Sequence, residues 1–471
     1  MRKMAFLALF LPALLCRADG LPDLGDAAQA TVSPQQERQI GEQSMLEIRA
    51  DRSYLGDAET NDYLNRIGYQ LAANSNEPGQ PFEFFALNNN AINAFALPGG
   101  FIGVNTGLML AAQTESELAS VLSHEISHVT QHHIARMIDS QKVDSLAAIA
   151  AIAVAILAAR SNPEASQAAI VGMQAGTLQH QLNFTRTNEQ EADRLGLAIL
   201  QKSGFDAHAM PTFFERLQHG TRLLDDSMPS YLRTHPLTSE RIADIDNRTR
   251  QIPYRLVADS LDFHLVRARL QTLQKSPQEA IAFFTEALGG QKHGNQTAQR
   301  YGLALSLLRA GKAARANREF SPLRAQEMQN PMLATLGGQI RRATGDKNTA
   351  SFYREAIQNF PRYRALNYDY IELLLRGRQY DGALKLLDEQ IIGHPDDPHL
   401  YELRAQVYAE LGKAQEEHHA LAYAYALRGN LYAAIDQLEL AKQSGSDYYQ
   451  LSTIESELRQ FRELAAAHSR R

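Results

Sequence analysis

Ser123-His124-Glu125-Ile126-Ser127-His128 is the stretch on which the reading of this chain turns. Histidines four residues apart lie on one face of a helix, where two imidazoles can hold one zinc ion. A glutamate directly after the first histidine can reach a water polarised by that ion and take its proton. The flanking residues favour a helix. Thr114 and Glu117 read as a T-x-x-E capping box, and Leu118, Val121, Leu122 and Val129 recur at helical spacing. The bland alternative is a solvated helix whose two histidines face water.

A catalytic zinc takes three protein ligands and keeps a fourth position open. His132 and His133 follow on what reads as the same helix, but three ligands along one straight face do not converge on a tetrahedral ion. The metzincin pattern also fails, because Gln131 and Ile134 stand where it needs Gly and His. Asn188-Glu189-Gln190-Glu191-Ala192-Asp193 is the better source. Glu189 and Asp193 again share a helix face, so Glu189 can bind the metal while Asp193 accepts from a liganding histidine and fixes its tautomer. Glu191 points about 160° away at helical pitch and reads as a surface residue.

Together these motifs resemble the HtpX/CaaX-endopeptidase type of gluzincin metalloprotease. Asn93-Ala94-Phe95-Ala96-Leu97-Pro98-Gly99-Gly100 is similar to the strand that precedes the metal helix in that family. Thr234-His235-Pro236-Leu237, with Arg241 after it, is similar to the family's H-P-x-x-x-x-R segment. The resemblance implies one Zn2+ on His124, His128 and Glu189, with Glu125 as general base and Asp193 orienting a ligand. It also puts substrate alignment on Asn93, Ala94, Phe95 and Ala96, where a sheet edge would hold an extended peptide by β-augmentation. The plain alternative is a strand that only packs on the core. His235 would act on catalysis either as an oxyanion partner or as a reversible block on the metal, and the resemblance favours the block. A loop histidine with a structural hydrogen bond is its bland reading.

At the start of the chain, Met1-Arg2-Lys3 and the apolar run Met4 to Leu15 read as a secretory signal peptide, with cleavage expected after Ala18. Lipoprotein processing at Cys16 is the runner-up, against which Leu15 stands where a small residue is expected. Cutting at Ala18 removes the one cysteine, so no metal ligand is a thiolate and no disulfide forms. Export with a cysteine-free metal site fits the bacterial periplasm. The net charge of −6 becomes −9 once Arg2, Lys3 and Arg17 are lost, and no basic run is evident, so nucleic acid is not an expected partner.

The fold class expected is mainly α, a metalloprotease domain with a small β-sheet (residues 30–255) followed by an α-solenoid of tetratricopeptide-like repeats (260–465). Helices are expected over Gln35–Arg49 and Glu59–Ala73, and strands over Phe82–Leu87, Ala94–Leu97 and Phe101–Asn105. Leu146–Ala159 is an apolar run of about 21 Å as a helix, short of the ~30 Å hydrocarbon core, so it reads as core, lid or a peripheral membrane contact. Gly311, Gly345, Gly377 and Gly412 lie 34, 32 and 35 residues apart, near the tetratricopeptide period of about 34. Such a solenoid offers a concave groove to protein partners.

The reading is a zinc endopeptidase whose repeats select or deliver protein clients. Likeness to the periplasmic, repeat-bearing members of the type implies stalled outer-membrane β-barrel proteins as clients and the barrel-assembly machinery as docking partner. The alternative is a mainly non-proteolytic chaperone or assembly scaffold with a latent metal site.

Overall fold

The computed structural model describes residues 32–140, 175–223, 230–290 and 294–469. The signal-peptide reading and the 146–159 run lie outside these residues.

Helix α1 (Pro34–Ala50) opens on a capping box between Ser33 and Gln36, and α2 (Ala58–Ala72) on Asp57, whose side chain accepts from the Thr60 amide. Strands β1 (Glu83–Leu87), β2 (Ala94–Leu97) and β3 (Phe101–Asn105) form one sheet in the order β1-β3-β2. Phe84 of β1 pairs with Ile102 in parallel, whereas Phe95 of β2 pairs with Gly103 in antiparallel register. Side chains alternate between two covered faces. Phe84, Ala86, Ala94, Ala96, Ile102 and Val104 join the main core, and Phe85, Phe95, Leu97 and Phe101 pack with Met45 of α1. A sheet buried on both sides reads as near-continuous apolar sequence. That is why these short strands carry so few polar residues.

Helices α3 (Thr106–Ala111), α4 (Glu115–Thr130), α5 (His133–Ser140), α6 (Ala175–Lys202), α7 (Ala209–Leu223), α8 (Ser230–Thr234) and α9 (Ser239–Thr249) follow. The centre is α4, which packs against α2, β2, α6 and α7. Thr114 caps it by accepting from the Glu117 amide, but the reciprocal half of the expected capping box is absent. Glu117 instead accepts from the Gln113 amide at 2.6 Å and is gripped by Arg216 from α7, at 2.6 Å through Nη1. A buried carboxylate with an arginine in reach follows the charge rather than the cap.

The remaining helices pair along the chain: α10 (Leu261–Leu273), α11 (Pro277–Gly289), α12 (Gln296–Arg309), α13 (Ala313–Phe320), α14 (Pro331–Thr344), α15 (Thr349–Asn359), α16 (Arg364–Arg376), α17 (Tyr380–Gly393), α18 (Pro398–Glu410), α19 (Ala414–Leu427), α20 (Leu431–Ser444) and α21 (Tyr448–Ser469). A short 3-10 turn, Ser321–Gln329, links α13 to α14. Gly311, Gly345 and Gly412 take the left-handed conformation at turns. At Gly377 φ is −82°, and the left-handed residue is its successor Arg378, at φ 56°. The repeats are anchored to the sheet-bearing half. Arg269 of α10 reaches Asp57 with Nη2 at 2.6 Å and also pairs with Glu59, both at the start of α2. Arg364 of α16 donates to Asp62 at 2.7 Å and to Asp397 at 3.0 Å. At the far end, the Gly429 turn lies so close to α1 that a Cβ there would sit 2.1 Å from the Leu46 carbonyl oxygen.

Candidate metal centre

Helix α4 supplies two imidazoles, α6 a carboxylate and the segment after α8 a third imidazole. His124 Nε2 stands 3.0 Å from His128 Nε2 and 3.4 Å from His235 Nδ1. Glu189 Oε1 is 2.9 Å from His235 Nδ1 and 3.4 Å from His128 Nε2, and its Oε2 is 3.4 Å from His124. One donor atom from each of His124, His128, Glu189 and His235 lies within 4.8 Å of all the others. Ligands about 2.0–2.1 Å from a tetrahedral ion are separated by roughly 3.3 Å, so these spacings fit a metal of that kind. Proximity of α6 to α4 is what permits them. A Cβ at Gly196 would meet the His124 backbone at 3.1 Å, so glycine lets the two helices close.

The charges around the site draw positive charge into it. Burial opposes protonation of His124, but Asp193 and Glu189 outweigh it and raise the ring to about 10. Burial likewise pushes Glu189 up, yet the facing His235, His124 and His128 hold its carboxyl well below the usual range. Three largely buried imidazoles and a carboxylate converging on one point are the donor set of a cation site.

Around the donors sits a supporting layer. Asp193 Oδ1 is 3.1 Å from His124 Nδ1. Arg241 grips Asp193 through Nε at 2.7 Å and Nη2 at 2.8 Å, while its Nη1 reaches Glu189 Oε2 at 2.9 Å and the Pro236 carbonyl at 2.7 Å. Thr238 caps α9 and fixes the Arg241 amide at 3.2 Å, which turns the guanidinium inward. Glu125 is fully buried beside the cluster, with Oε1 3.4 Å from His235 Nε2. Tyr231 stacks on His235, ring centres 4.7 Å apart, and its amide donates to the Ile92 carbonyl at 3.0 Å.

Thus His124, Glu125, His128, Glu189, Asp193 and His235 come together. Ala94, Phe95 and Ala96 lie on the neighbouring strand and Asn93 just before it, all four buried, and Ala96 and Leu97 line a small pocket with His128 and His132. Two readings need correction. His132 and His133 do not continue α4, which ends at Thr130; His132 is left-handed at φ 50° and its Nδ1 meets Glu37 at 2.9 Å. Glu191 is not simply a surface residue, since it contacts His133 at 3.1 Å and Arg136 at 2.9 Å. Tyr231 was missed because it belongs to no motif; the stacking is i to i+4, a spacing that the sequence does contain.

The sequence model of peptidase family M48 matches residues 58–249, and a tetratricopeptide-repeat model matches 347–407. The beta-barrel assembly-enhancing protease of Escherichia coli (strain K12) is 37% identical over 434 residues, covering 91% of this chain and 88% of that protein. The chain belongs to peptidase family M48. A Vibrio cholerae relative described as a putative beta-barrel assembly-enhancing protease is 36% identical over 427 residues, or 90% of this chain and 88% of its own. A partial likeness reaches further, to the mitochondrial metalloendopeptidase OMA1 of Arabidopsis thaliana, at 29% over 220 residues, 46% of this chain and 42% of that one. This M48 member is therefore a metallopeptidase followed by helical repeats, as its sequence led us to expect. Membership of M48 implies a metal, and His124, His128, Glu189 and His235 fit one. Among the described residues no helix is long and apolar enough to cross a membrane.

Proposed function

We propose that the chain is a zinc endopeptidase of the Gram-negative periplasm that degrades stalled outer-membrane β-barrel proteins and, through its repeats, assists their assembly. Support for the clients and the compartment is the likeness along 91% of the chain to a protein named for barrel assembly. The repeats would dock on the barrel-assembly machinery. A signal peptide over 1–18, a protease domain over 30–255 and a repeat domain over 260–465 belong to the same reading.

The observation that carries the chemistry is the convergence of four donor atoms, three of them on buried residues, beside Glu125. His124, His128 and Glu189 would hold the zinc, which would supply Lewis-acid chemistry toward the scissile carbonyl and the attacking water. Glu125 takes the proton of the attacking water and passes it to the leaving amine. Asp193, held by Arg241, keeps the His124 ring in the tautomer that presents Nε2. Since the side chains of Asn93 to Ala96 are buried, the substrate contact assigned to β2 runs through its backbone.

His235 is the blocking ligand in this reading. Its Nδ1 stands as a fourth donor, 2.9 Å from Glu189 and 3.4 Å from His124, and a carbonyl that bound the same ion would have to displace it. An oxyanion partner would stand outside the donor set. The same observation favours a second reading, in which proteolysis stays silent and the work is chaperone-like binding.

Cleavage of a misfolded outer-membrane β-barrel protein by wild type, Glu125→Gln and His235→Ala, with the zinc content of each, tests both readings. The blocked protease predicts slow cleavage by wild type, faster cleavage by His235→Ala, and a zinc-loaded but inactive Glu125→Gln. Client binding and zinc in all three with no cleavage would leave the scaffold reading standing.

A further inference from the structure

We propose that His133, backed by Glu191, is a positioning residue for the ligand His128. The inference rests on the metal reading above. His128 turns Nε2 to the donor cluster, 3.0 Å from His124 Nε2 and 3.4 Å from Glu189 Oε1. A neutral imidazole that offers one nitrogen as a lone pair carries its proton on the other. The proton therefore sits on His128 Nδ1, which lies 2.8 Å from His133 Nδ1. His133 must accept there, so its own proton is on Nε2, and Nε2 faces Glu191 Oε2 at 3.1 Å. Arg136 Nη1 donates to that same oxygen at 2.9 Å. With His128 Nε2 reserved for the metal, only this set of proton positions satisfies the two contacts of His133. With the protons of both rings reversed, His128 would lose its ligand lone pair and His133 would turn a lone pair toward the carboxylate.

The chain's geometry delivers His133 to this place. Helix α4 ends at Thr130, and the left-handed His132 turns the backbone so that His133 begins a new helix with its ring against the outer edge of His128, ring centres 4.8 Å apart. The ring is buried, with one nitrogen on His128 and the other on Glu191. The two metal-facing histidines are thus supported unequally. His124 leans on the carboxylate of Asp193, whereas His128 leans on a neutral imidazole relayed to a carboxylate. A charged acceptor raises ligand basicity more than a neutral one does. His133 accordingly orients its ligand without adding much to its donor strength.

The test uses the full chain and a readout other than proteolysis. His133→Phe keeps the ring volume and removes the acceptor; His133→Asn places an amide oxygen near the lost Nδ1. We expect zinc affinity, measured by chelator competition, to fall about 10–100-fold in His133→Phe and to stay within about threefold of wild type in His133→Asn. The visible spectrum of the cobalt-substituted protein should change in the first and not in the second. Glu191→Ala, at a half-exposed position, should weaken zinc binding in the same direction by a smaller factor. If His133→Phe binds zinc like wild type with an unchanged cobalt spectrum, the inference is overturned. Equal losses in the Phe and Asn variants would also overturn it, by pointing to packing instead of acceptance. Should His133→Phe fail to fold, the Glu191→Ala and His133→Asn arms still decide: wild-type affinity in the former or a large loss in the latter overturns it. Absence of zinc binding by the wild type would instead sink the metal reading itself.

Discussion

Arg241 Nε and Nη2 hold the two oxygens of Asp193 at 2.7 and 2.8 Å, joining the helix after His235 to the helix that carries Glu189. Both partners are buried, Arg241 at 2% exposure and Asp193 at 1%. Burial opposes ionisation of Asp193, but Arg241 and His124 hold its carboxyl below the ordinary value. One guanidinium thus fixes Asp193 and touches Glu189 as well.

Removing that guanidinium leaves two buried carboxylates without their partner. Arg241→Met should cost about 3–5 kcal/mol of stability, the usual penalty for breaking a buried pair. Metal content should fall with it, because Asp193 would lose its orientation toward His124. Urea denaturation and metal analysis on the same preparation check both effects. An unchanged midpoint would refute the account of Arg241.

Gly196 is a second point of leverage. A Cβ there would approach the His124 backbone to 3.1 Å. Gly196→Ala should push α6 away from α4, costing about 1–3 kcal/mol as overpacking does. Since Glu189 and Asp193 both ride on α6, zinc affinity should fall along with stability. Gly56→Ala, where a Cβ would meet nothing, is the matching control and should leave zinc affinity as it is.

His132 gives a pH dependence away from the donor cluster. Its hydrogen bond to Glu37 raises it to about 8, against the opposing effect of burial, with Glu77 adding to the rise at 3.5 Å. A raised histidine contributes stability that is fully present below its unfolded value of about 6.5 and is lost as pH rises through its folded value. Stability measured by denaturation should therefore decline between about pH 6.5 and 8.5, by about 1 kcal/mol once solvent screening is allowed for. His132→Gln should flatten that slope. A slope equally steep in the variant would show that other groups cause it.

Arg269 ties the repeats to the protease half through Asp57 and Glu59. Burial pushes Glu59 up to about 8, with Arg269 opposing the rise. Arg269→Ala should cost about 3–5 kcal/mol by stranding the buried Asp57 carboxylate. Calorimetry should then resolve a separate, earlier transition for the repeats. A single transition at the wild-type temperature would rule out this tie as a main link between the halves.

Much of the site is legible along the chain because its parts obey local periodicities. His124 and His128, and likewise Glu189 and Asp193, share a face by the pitch of the helix alone. The strands at 83–87, 94–97 and 101–105 announce themselves by apolar runs with Asn and Gly between them. Helical repeats show through the near-even spacing of turn glycines, although at Gly377 the turn needed its left-handed residue one position later.

What the order of residues determined by itself is the inventory: two histidines on one helix face, two carboxylates on another, and helical repeats after them. Only the tertiary structure decided the company those residues keep. His133 lies five residues after His128, a spacing no helix face links, and a backbone turn at His132 puts it there. Glu191 does not share the face of Glu189 and Asp193, yet it meets His133 and Arg136 of α5. His235 and Arg241 enter from a segment 111 residues beyond His124. Periodicity governs only neighbours on one element, whereas contacts between elements follow from how their buried faces close together, and those distances are not written in the local order of the chain.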